Sequence, residues 1–336
     1  MSFIKIFMKI LVTGGAGLIG QYLVKRLFQQ DYKIIVIDNL SNGNKENLLQ
    51  AISSNNSSSR ASENNKISFY KEDIRNKKTI ADIFNRERTI DTCIHLAAKN
   101  SVFDSITNPN DTMDVNVKGT LNILEACSSN DVKNFIFSSS AAVYGDSKKL
   151  PLSEDHMLEP SSPYGASKIA GEALVSSYGY TGKIQNSISL RLFNVYGEDK
   201  NLKCESVITS FIHQLSKGLP PIIYGDGKQT RDFISLNDVV NVILLAAVEG
   251  QKKILSSRAV FNVGTGKPTM IKDLAQLMIK IFDLDLKPIF VEAKKGEIIN
   301  SYADTGKLKR DLGFVASEEI GFALKKLHKI INHNFP

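Results

Sequence analysis

Short runs of β-branched and other apolar residues alternate with amphipathic stretches along the first half of the chain. Helical periodicity is carried by Ile19, Leu23 and Leu27 after the first run, and by the stretches around 76–86 and 114–129. Strands that alternate with helices form right-handed βαβ units, with a parallel sheet covered by helices on both faces. The pattern therefore predicts a doubly wound α/β domain. Its predicted strands are Lys9–Thr13, Lys33–Ile37, Ile67–Tyr70, Thr92–Leu96 and Asn134–Ser138.

Two changes of pattern divide the rest of the chain. Residues 51–66 are rich in serine and asparagine and poor in apolar side chains, which predicts a flexible surface loop after the second strand. After about Asn194 the β–α alternation loosens and glycine and proline become frequent. We expect a large domain over 8–194, completed by returning segments at about 228–263. A smaller C-terminal α/β lobe would take 195–227 and 264–330.

Composition indicates a soluble globular protein, with 42% hydrophobic and 23% charged residues in a chain of 336. The 42 basic and 35 acidic residues give a net charge of +7 that is spread along the chain. Nucleic-acid binding requires clustered charge, so the pattern argues against it and suits a small phosphate-bearing ligand instead.

No apolar run is long enough to span a bilayer, and the first fifteen residues contain lysines and lack a small-residue cleavage site. A cytoplasmic location is the expectation, with Met1 and Met8 as alternative initiators. Cys93, Cys127 and Cys204 are far apart and favour reduced thiols. Neither the cysteines nor the five histidines have metal-ligand spacing, so no metal site is predicted.

A glycine-rich turn lies between the first predicted strand and the first helix. It fits two spacings, with Gly14 or Gly15 as the first position before Gly17 and Gly20. Missing side chains permit a tight turn and close approach of the backbone to a pyrophosphate, and the helix N-terminus supplies N–H donors. The context predicts a dinucleotide site.

Asp38 follows the second strand, eighteen residues after Gly20. An acid at this place accepts hydrogen bonds from a ribose diol and repels a 2′-phosphate, and residues 39–41 contain no arginine. These features favour NAD over NADP; a turn-capping carboxylate is the alternative role. Asp73, which closes the third strand, is a candidate contact for the adenine end.

Tyr164 and Lys168 stand four residues apart at the start of a helix that opens with Pro163, with Ser161 or Ser162 as its cap. They therefore share one helix face. A phenol with its usual pKa near 10 is a poor base at neutral pH, but an adjacent ammonium stabilises the phenolate. The pair can take a hydroxyl proton while hydride leaves the same carbon. The serines of 138–140 end a parallel strand, where at least one should face the cofactor.

The glycine turn, the 138–140 serines and Tyr164-x-x-x-Lys168, in this order and spacing, resemble the extended short-chain dehydrogenase/reductases, which bind NAD on a Rossmann domain. Within them the chain is similar to the UDP-glucose 4-epimerase group, from about Lys9 to Leu327. The resemblance implies a homodimer, for which apolar residues of helices near 103–128 and 162–180 are candidates. It makes the first domain the NAD-binding one and the smaller lobe the substrate-binding one.

The resemblance also implies site roles. The implied catalytic residues are Ser140, Tyr164 and Lys168. The implied NAD contacts are Gly14, Gly17, Leu18, Ile19, Gly20, Asp38, Asn39, Asp73, Ile74, Leu96, Ala97, Ala98, Asn116, Tyr164 and Lys168. The implied substrate contacts are Ser140, Tyr164, Asn194, Tyr224, Arg231, Lys294 and Ser301.

Two positions bear on the substrate. Lys294 stands where the family usually has a second diphosphate-binding arginine, and a lysine lacks the guanidinium fork. The small residue Ser301 resembles members that admit N-acetylated hexoses.

The expected reaction is epimerisation at C4 of a UDP-linked hexose through a 4-keto sugar. The glucose/galactose pair, the N-acetyl pair and a uronic acid pair remain open as substrates. A 4,6-dehydratase of this superfamily carries an Asp–Glu pair where this chain has Ala141–Ala142, which cannot transfer protons. A dehydratase, decarboxylase or reductase on the same scaffold is the alternative enzyme. A non-catalytic NAD sensor is the alternative from another class.

Overall fold

The computed structural model describes residues 8–53, 66–197, 206–249, 258–293 and 298–334. Seven strands form the main sheet, in the order β3-β2-β1-β4-β5-β6-β10. These strands are β1 (Lys9–Thr13), β2 (Lys33–Ile37), β3 (Ile67–Tyr70), β4 (Thr92–His95), β5 (Asn134–Ser140), β6 (Asn186–Leu192) and β10 (Arg258–Val263). The first three have the predicted bounds, β4 ends one residue earlier than predicted, and β5 runs two residues further.

The sheet is doubly wound, as the sequence predicted. β1 pairs in parallel with β2 on one side and with β4 on the other, and β2–β3 and β4–β5 are parallel as well. Residues 10–12 in the middle of β1 are fully buried, because helices cover both faces. The strand order reverses direction between β1 and β4, and ligands of such sheets bind beyond the carboxyl ends of the strands at this point.

Helices follow the strands with sequence-encoded starts. Ser162, rather than Ser161, caps the helix Pro163–Tyr180, because its side chain accepts a hydrogen bond from the Gly165 N–H. The helices are Leu18–Gln29, Lys45–Ser53, Lys77–Glu87, Val102–Thr107, Pro109–Met113, Thr120–Ser129, Pro163–Tyr180, Val207–Leu215, Leu236–Leu244, Ile271–Ile281, Gly306–Leu312 and Ile320–Asn334.

Two predictions change in detail. The predicted helix over 114–129 is helical throughout, but residues Asp114–Gly119 form a π-helical segment. The helix Lys45–Ser53 was not predicted, and it extends into the start of the predicted 51–66 loop because Leu48 and Ile52 are buried. Residues 54–65 of that loop lie outside the described residues, as does Cys204.

The chain divides into two compact units. The first comprises Met1–Ser140, Ser162–Leu190 and Val242–Phe261, and the second comprises Ala141–Ser161, Arg191–Asn241 and Asn262–Pro336. In the second, β9 (Thr230–Ser235) pairs with β7 (Asn194–Tyr196), β11 (Pro268–Met270) and β13 (Asn300–Ser301). There β8 (Ile222–Tyr224) pairs with β12 (Ile289–Val291). The assignment of cofactor and substrate binding to separate lobes stays a prediction.

Among the described residues, no helix combines the length and apolar character needed to cross a bilayer. In the same part of the chain no group of histidine, cysteine and acidic side chains could hold a metal ion. Cys93 and Cys127 are buried free thiols.

Candidate active site

The glycine turn is closely packed on backbone. Gly14 has φ +69°, and a Cβ there would lie 2.7 Å from the Ala97 nitrogen. A Cβ at Gly20 would overlap the Gly14 carbonyl oxygen and lie 2.6 Å from the Gly15 Cα atom. Gly15 also lacks room, because its Cβ would lie 2.7 Å from a Val36 methyl. Gly14, Gly15 and Gly20 of the two spacings read from the sequence therefore have no room for a side chain, while a Cβ at Gly17 would lie 3.3 Å from the Gly14 carbonyl oxygen.

The same turn places a helix N-terminus at the carboxyl end of β1. Gly17 caps the helix with extended backbone and, as a glycine, offers no side chain to cap the N–H groups of its first turn. Leu18 and Ile19 begin the helix, and its first turn contains no acidic residue. These N–H groups and the positive end of the helix dipole suit an anion such as a pyrophosphate.

Asp38 ties the end of β2 to the glycine turn. Its carboxylate oxygens accept hydrogen bonds from the Ala16 N–H at 2.9 Å and the Leu40 N–H at 2.8 Å. Burial raises the pKa of Asp38, and these two hydrogen bonds oppose the rise. The turn-holding role considered as an alternative is thus present, and it fixes a carboxylate beside the glycine turn.

Asp73, predicted at the adenine end, belongs to a polar chain at the surface. Its carboxylate accepts hydrogen bonds from the Arg75 guanidinium at 2.8 and 3.0 Å and from the Asn39 amide at 3.0 Å. Hydrogen bonds from Arg75 lower the pKa of Asp73 to about 2, so it is ionised at neutral pH. Arg75 also reaches Asp111, at 2.9 Å. The neighbouring Ile74 is buried.

The end of β4 is fixed by its neighbours. Leu96 donates its N–H to the Thr13 carbonyl at 3.1 Å, and Ala97 donates to the Thr13 hydroxyl oxygen at 3.2 Å. His95 lies between Thr13 and Thr120, and burial lowers the pKa of its imidazole to about 3. A neutral histidine therefore joins this strand end to the helix behind it. Ala98 is half-buried next in the chain.

Asn116 links the π-helical segment to the helix of Tyr164. Its side chain bonds both the N–H and the carbonyl of Lys99, at 2.8 and 2.9 Å. It also donates to the Ser167 hydroxyl at 2.9 Å, which donates in turn to the Tyr164 carbonyl at 2.7 Å. Asn116 therefore acts on Tyr164 through the backbone.

Ser140, Tyr164 and Lys168 come together at the end of β5. The Lys168 Nζ atom donates to the Ser138 carbonyl at 2.7 Å and lies 5.8 Å from the Tyr164 ring centroid. Burial raises the pKa of Tyr164, while a hydrogen bond with Ser140 lowers it. Burial lowers the pKa of Lys168 to about 8. The arrangement provides a phenol, a hydroxyl and an ammonium that is charged at neutral pH.

Sequence reasoning missed Glu172, one turn after Lys168 on the same helix. Its carboxylate is buried and accepts a hydrogen bond from the Ser139 hydroxyl at 2.5 Å. The available signal was the four-residue spacing from Tyr164 to Lys168 to Glu172, which places all three on one face.

In the second unit, three of the predicted substrate residues lie on adjoining strands. Arg231 on β9 is paired with Ser301 on β13. Asn194 is the first residue of β7, which pairs with β9 as well. Asn194 donates to the Asp232 carbonyl at 3.3 Å. Tyr224 ends β8 with 40% of its side chain exposed. Lys294 lies outside the described residues.

Asp232, next to Arg231, was also missed. It is fully buried and accepts hydrogen bonds from the N–H groups of Thr265, Gly266 and Ala303 at 2.8–3.1 Å. This carboxylate fixes the backbone around β9. Its hydrogen-bond partners lie more than thirty residues further along the sequence.

Comparison with known proteins gives consistent matches. Residues 10–264 match the family model described as the NAD dependent epimerase/dehydratase family. A putative UDP-glucose 4-epimerase of Methanocaldococcus jannaschii is 36% identical over 327 residues, which is 97% of this chain and 99% of that protein.

Two solved structures share the whole fold. The UDP-glucose 4-epimerase of Thermotoga maritima with UDP-glucose has a TM-score of 0.87 and 31% identity, covering 98% of this chain and 100% of that one. The UDP-N-acetylglucosamine 4-epimerase of Methanobrevibacter ruminantium, in complex with UDP-N-acetylmuramic acid, has a TM-score of 0.86 and 32% identity, covering 98% and 99%.

Proposed function

Because the chain belongs to the NAD dependent epimerase/dehydratase family, we propose that it interconverts the C4 epimers of a UDP-linked hexose through a 4-keto sugar. The observation that carries this proposal is the group formed by Ser140, Tyr164 and Lys168 at the end of β5. β5 neighbours β4, and β4 neighbours β1, which bears the glycine turn, so all three strand ends lie along one edge of the sheet.

The residues of the first unit fit NAD. Gly14 and Gly20 of the turn have no room for side chains, and the turn ends at a helix N-terminus without acidic residues. The buried carboxylate of Asp38 beside it suits a ribose diol and disfavours a 2′-phosphate. Asn39, Asp73 and the 96–98 backbone would complete the site. Bound there, NAD would supply a reversible hydride acceptor for C4 of the sugar.

Tyr164 is the proposed base for the 4-hydroxyl proton. Its phenol lies in a buried position where an ionised form needs support, and the Lys168 ammonium and the Ser140 hydroxyl provide it. Ser140 would also donate a hydrogen bond to the sugar oxygen. When the hydride returns, the same phenol gives the proton back, so no other acid is required.

The residues that follow Ser140 do not favour the alternative enzymes. Ala141–Ala142 start a short 3₁₀ helix, and neither side chain can carry a proton. Elimination from C5 and C6 needs an acid and a base. The site therefore supports epimerisation over a 4,6-dehydratase, and the intact Ser140, Tyr164 and Lys168 argue against a sensor without catalysis.

In the second unit, Arg231, Tyr224 and Asn194 are the proposed contacts of the nucleotide and sugar. Arg231 suits a diphosphate because its planar fork can form two parallel hydrogen bonds. Its strand neighbour Ser301 is small and would leave room for an N-acetyl group if the sugar binds beside it. Lys294 is a second proposed phosphate contact. Both the glucose/galactose pair and the N-acetyl pair are candidate substrates. The Thermotoga relative is a UDP-glucose 4-epimerase with UDP-glucose, and the Methanobrevibacter relative is a UDP-N-acetylglucosamine 4-epimerase in complex with UDP-N-acetylmuramic acid.

We further propose a cytoplasmic homodimer. The helices Val102–Thr107 and Pro109–Met113 expose large apolar side chains, with Phe103 at 70% and Ile106 at 60% exposure. Such a patch on one face of the first unit suits contact with a second copy.

The proposal is tested by incubating the purified protein separately with UDP-glucose, UDP-N-acetylglucosamine and UDP-glucuronate, without added reductant, and following the products by NMR. We expect the C4 epimer of at least one sugar and no net NADH. Tyr164→Phe is the matched control and should give no product. Absence of product from all three substrates, with NAD bound, would contradict a UDP-hexose 4-epimerase.

A further inference from the structure

Glu172 is a buried carboxylate to which the proposed chemistry assigns no role. Its side chain is only 7% exposed, and the neighbouring Lys168 is 4% exposed. A buried carboxylate is costly unless hydrogen bonds or an opposite charge compensate it. Ser139 supplies a hydrogen bond at 2.5 Å, and Lys168 supplies the opposite charge.

Three successive residues at the end of β5 bond three residues of one helix face. The Ser138 carbonyl accepts from Lys168, Ser139 donates to Glu172, and Ser140 bonds Tyr164. Tyr164, Lys168 and Glu172 are spaced by four residues, so they stand one above the other on the helix. The Ser139–Glu172 bond therefore fixes the helix against the strand that carries Ser138 and Ser140.

Few titratable groups act on the Lys168 ammonium among the described residues. On its own helix it has Glu172 one turn later and the neutral phenol of Tyr164 one turn earlier. From β4 it faces His95, whose depressed pKa keeps it neutral, and from β5 the Phe137 ring lies 5.1 Å away. Glu172 is thus the negative group that acts on this ammonium.

We propose that Glu172 is a positioning residue for the catalytic base: its bond with Ser139 fixes the helix of Tyr164 and Lys168 against the end of β5, and its carboxylate, one helical turn from Lys168, favours the charged ammonium. The inference rests on the proposed function, because it assigns Lys168 the task of stabilising the Tyr164 phenolate. It adds a fourth member to the group, one that acts through the helix and Lys168.

The direct test is an NMR titration of lysines labelled at the ε-carbon, with Lys168→Met to assign the Lys168 signal. Glu172→Gln keeps a side-chain oxygen for Ser139 but removes the negative charge. We therefore expect Lys168 to lose its proton at a pH about one unit lower than in the wild type. In a plot of kcat against pH, the fall of activity at alkaline pH should begin at a pH that is lower by the same amount. Glu172→Asp, which restores the charge, should recover most of both shifts.

Glu125→Gln is the matched control, since it removes a half-buried carboxylate that pairs with Lys77 elsewhere in the same unit. It should leave the Lys168 signal unchanged. A Lys168 titration that is the same in Glu172→Gln and wild type would overturn the inference. If Glu172→Gln does not fold, Ser139→Ala decides: a downward shift of Lys168 supports the role, and an unchanged titration rejects it. The titration needs no substrate, so failure of the epimerase assay is a separate result.

Discussion

His95 Nδ1 lies 2.7 Å from the Thr13 hydroxyl oxygen, and this hydrogen bond joins the carboxyl ends of two adjacent parallel strands. On the other side, His95 Nε2 lies 2.9 Å from the Thr120 hydroxyl oxygen. Because Thr120 donates its own proton to the Asn116 carbonyl at 2.6 Å, it accepts from Nε2–H. Burial keeps the imidazole neutral, so Nδ1 carries no proton and accepts a hydrogen bond from the Thr13 hydroxyl.

This arrangement predicts an acid sensitivity of the fold. The pKa of His95 falls to about 3 in the folded protein from its usual 6.5, so below pH 6.5 the unfolded chain binds a proton that the folded chain excludes. Stability from this group is complete above pH 6.5 and is lost progressively as the pH falls toward 3. At pH 5.5 the loss should be about 1 kcal/mol. Denaturant unfolding of wild type and His95→Gln at pH 7.5 and 5.5 measures it. An equal pH dependence in both proteins would contradict the prediction.

Gly20→Ala should disrupt the dinucleotide turn. The new Cβ would overlap the Gly14 carbonyl and lie 2.6 Å from the Gly15 Cα atom, and backbone atoms cannot move aside as a flexible side chain does. We expect lower thermal stability and at least tenfold weaker NAD binding, measured by calorimetry. Gly321→Ala is the matched control, because a Cβ at this helical glycine would lie 4.0 Å from a Leu277 methyl. This variant should raise the free energy of unfolding by up to about 1 kcal/mol. Wild-type NAD affinity in Gly20→Ala would argue against the proposed cofactor site.

Features that depend on local pattern were predictable from the sequence. Buried strands show as apolar runs, which is why β1 and β2 have their predicted bounds. The half-buried β3 also has its predicted bounds. The shared face of Tyr164 and Lys168 follows from their four-residue spacing alone. Neighbouring strand ends in a parallel sheet then bring the glycine turn and the serines to one edge.

Features that depend on distant partners were not predictable. Ser139 and Glu172 are 33 residues apart, and Asp232 meets Ala303 across 71 residues, so nothing local marks either carboxylate as buried. The π-helical segment Asp114–Gly119 continues the helical pattern of 114–129, and its Asn116 bonds Ser167 on another helix. Tertiary contacts decide such details.

Tyr164→Phe should abolish turnover without loss of the fold. The change removes one oxygen, and with it the proton acceptor and the hydrogen bond with Ser140. We expect kcat to fall by about 10³ with little change in the melting temperature, because general acid–base groups contribute about 10²–10⁴. The assay is conversion of UDP-glucose, and bound NAD is measured after denaturation. Tyr180→Phe serves as the control, since that side chain is 74% exposed on the same helix. Retention of NAD with loss of kcat would separate catalysis from cofactor binding.

The exposed apolar patch on the first unit predicts a dissociable dimer. Phe103→Glu combined with Ile106→Glu places two charges in the proposed contact, where like charges from both copies would meet and remain unpaired. We expect a monomer by light scattering, against a dimer for wild type at the same concentration. Val315→Glu, at an exposed position of the second unit, should remain a dimer. A wild-type protein that is monomeric would reject the proposed assembly.

Arg231→Lys should weaken substrate binding while sparing the chemical step. Arg231 lies on β9 between Thr269 of β11 and Ser301 of β13, and its guanidinium also donates to the Thr230 carbonyl at 2.8 Å. Lysine keeps the positive charge but loses the fork, so one of two parallel bonds to a diphosphate would be lost. A charge-assisted hydrogen bond contributes about 1.5–3 kcal/mol, which corresponds to a KM about 10- to 100-fold higher.

The proton acceptor lies on another segment of the chain, so kcat for Arg231→Lys should change by less than about threefold. Arg310→Lys is the matched control, because that arginine is exposed and pairs with Asp311 at the surface; its KM should stay at the wild-type value. Steady-state kinetics with UDP-glucose and with UDP alone as competitor distinguish the cases. If Arg231 binds the diphosphate, the KM for UDP-glucose and the inhibition constant of UDP must rise by the same factor. A higher KM with unchanged UDP inhibition would place Arg231 at the sugar instead.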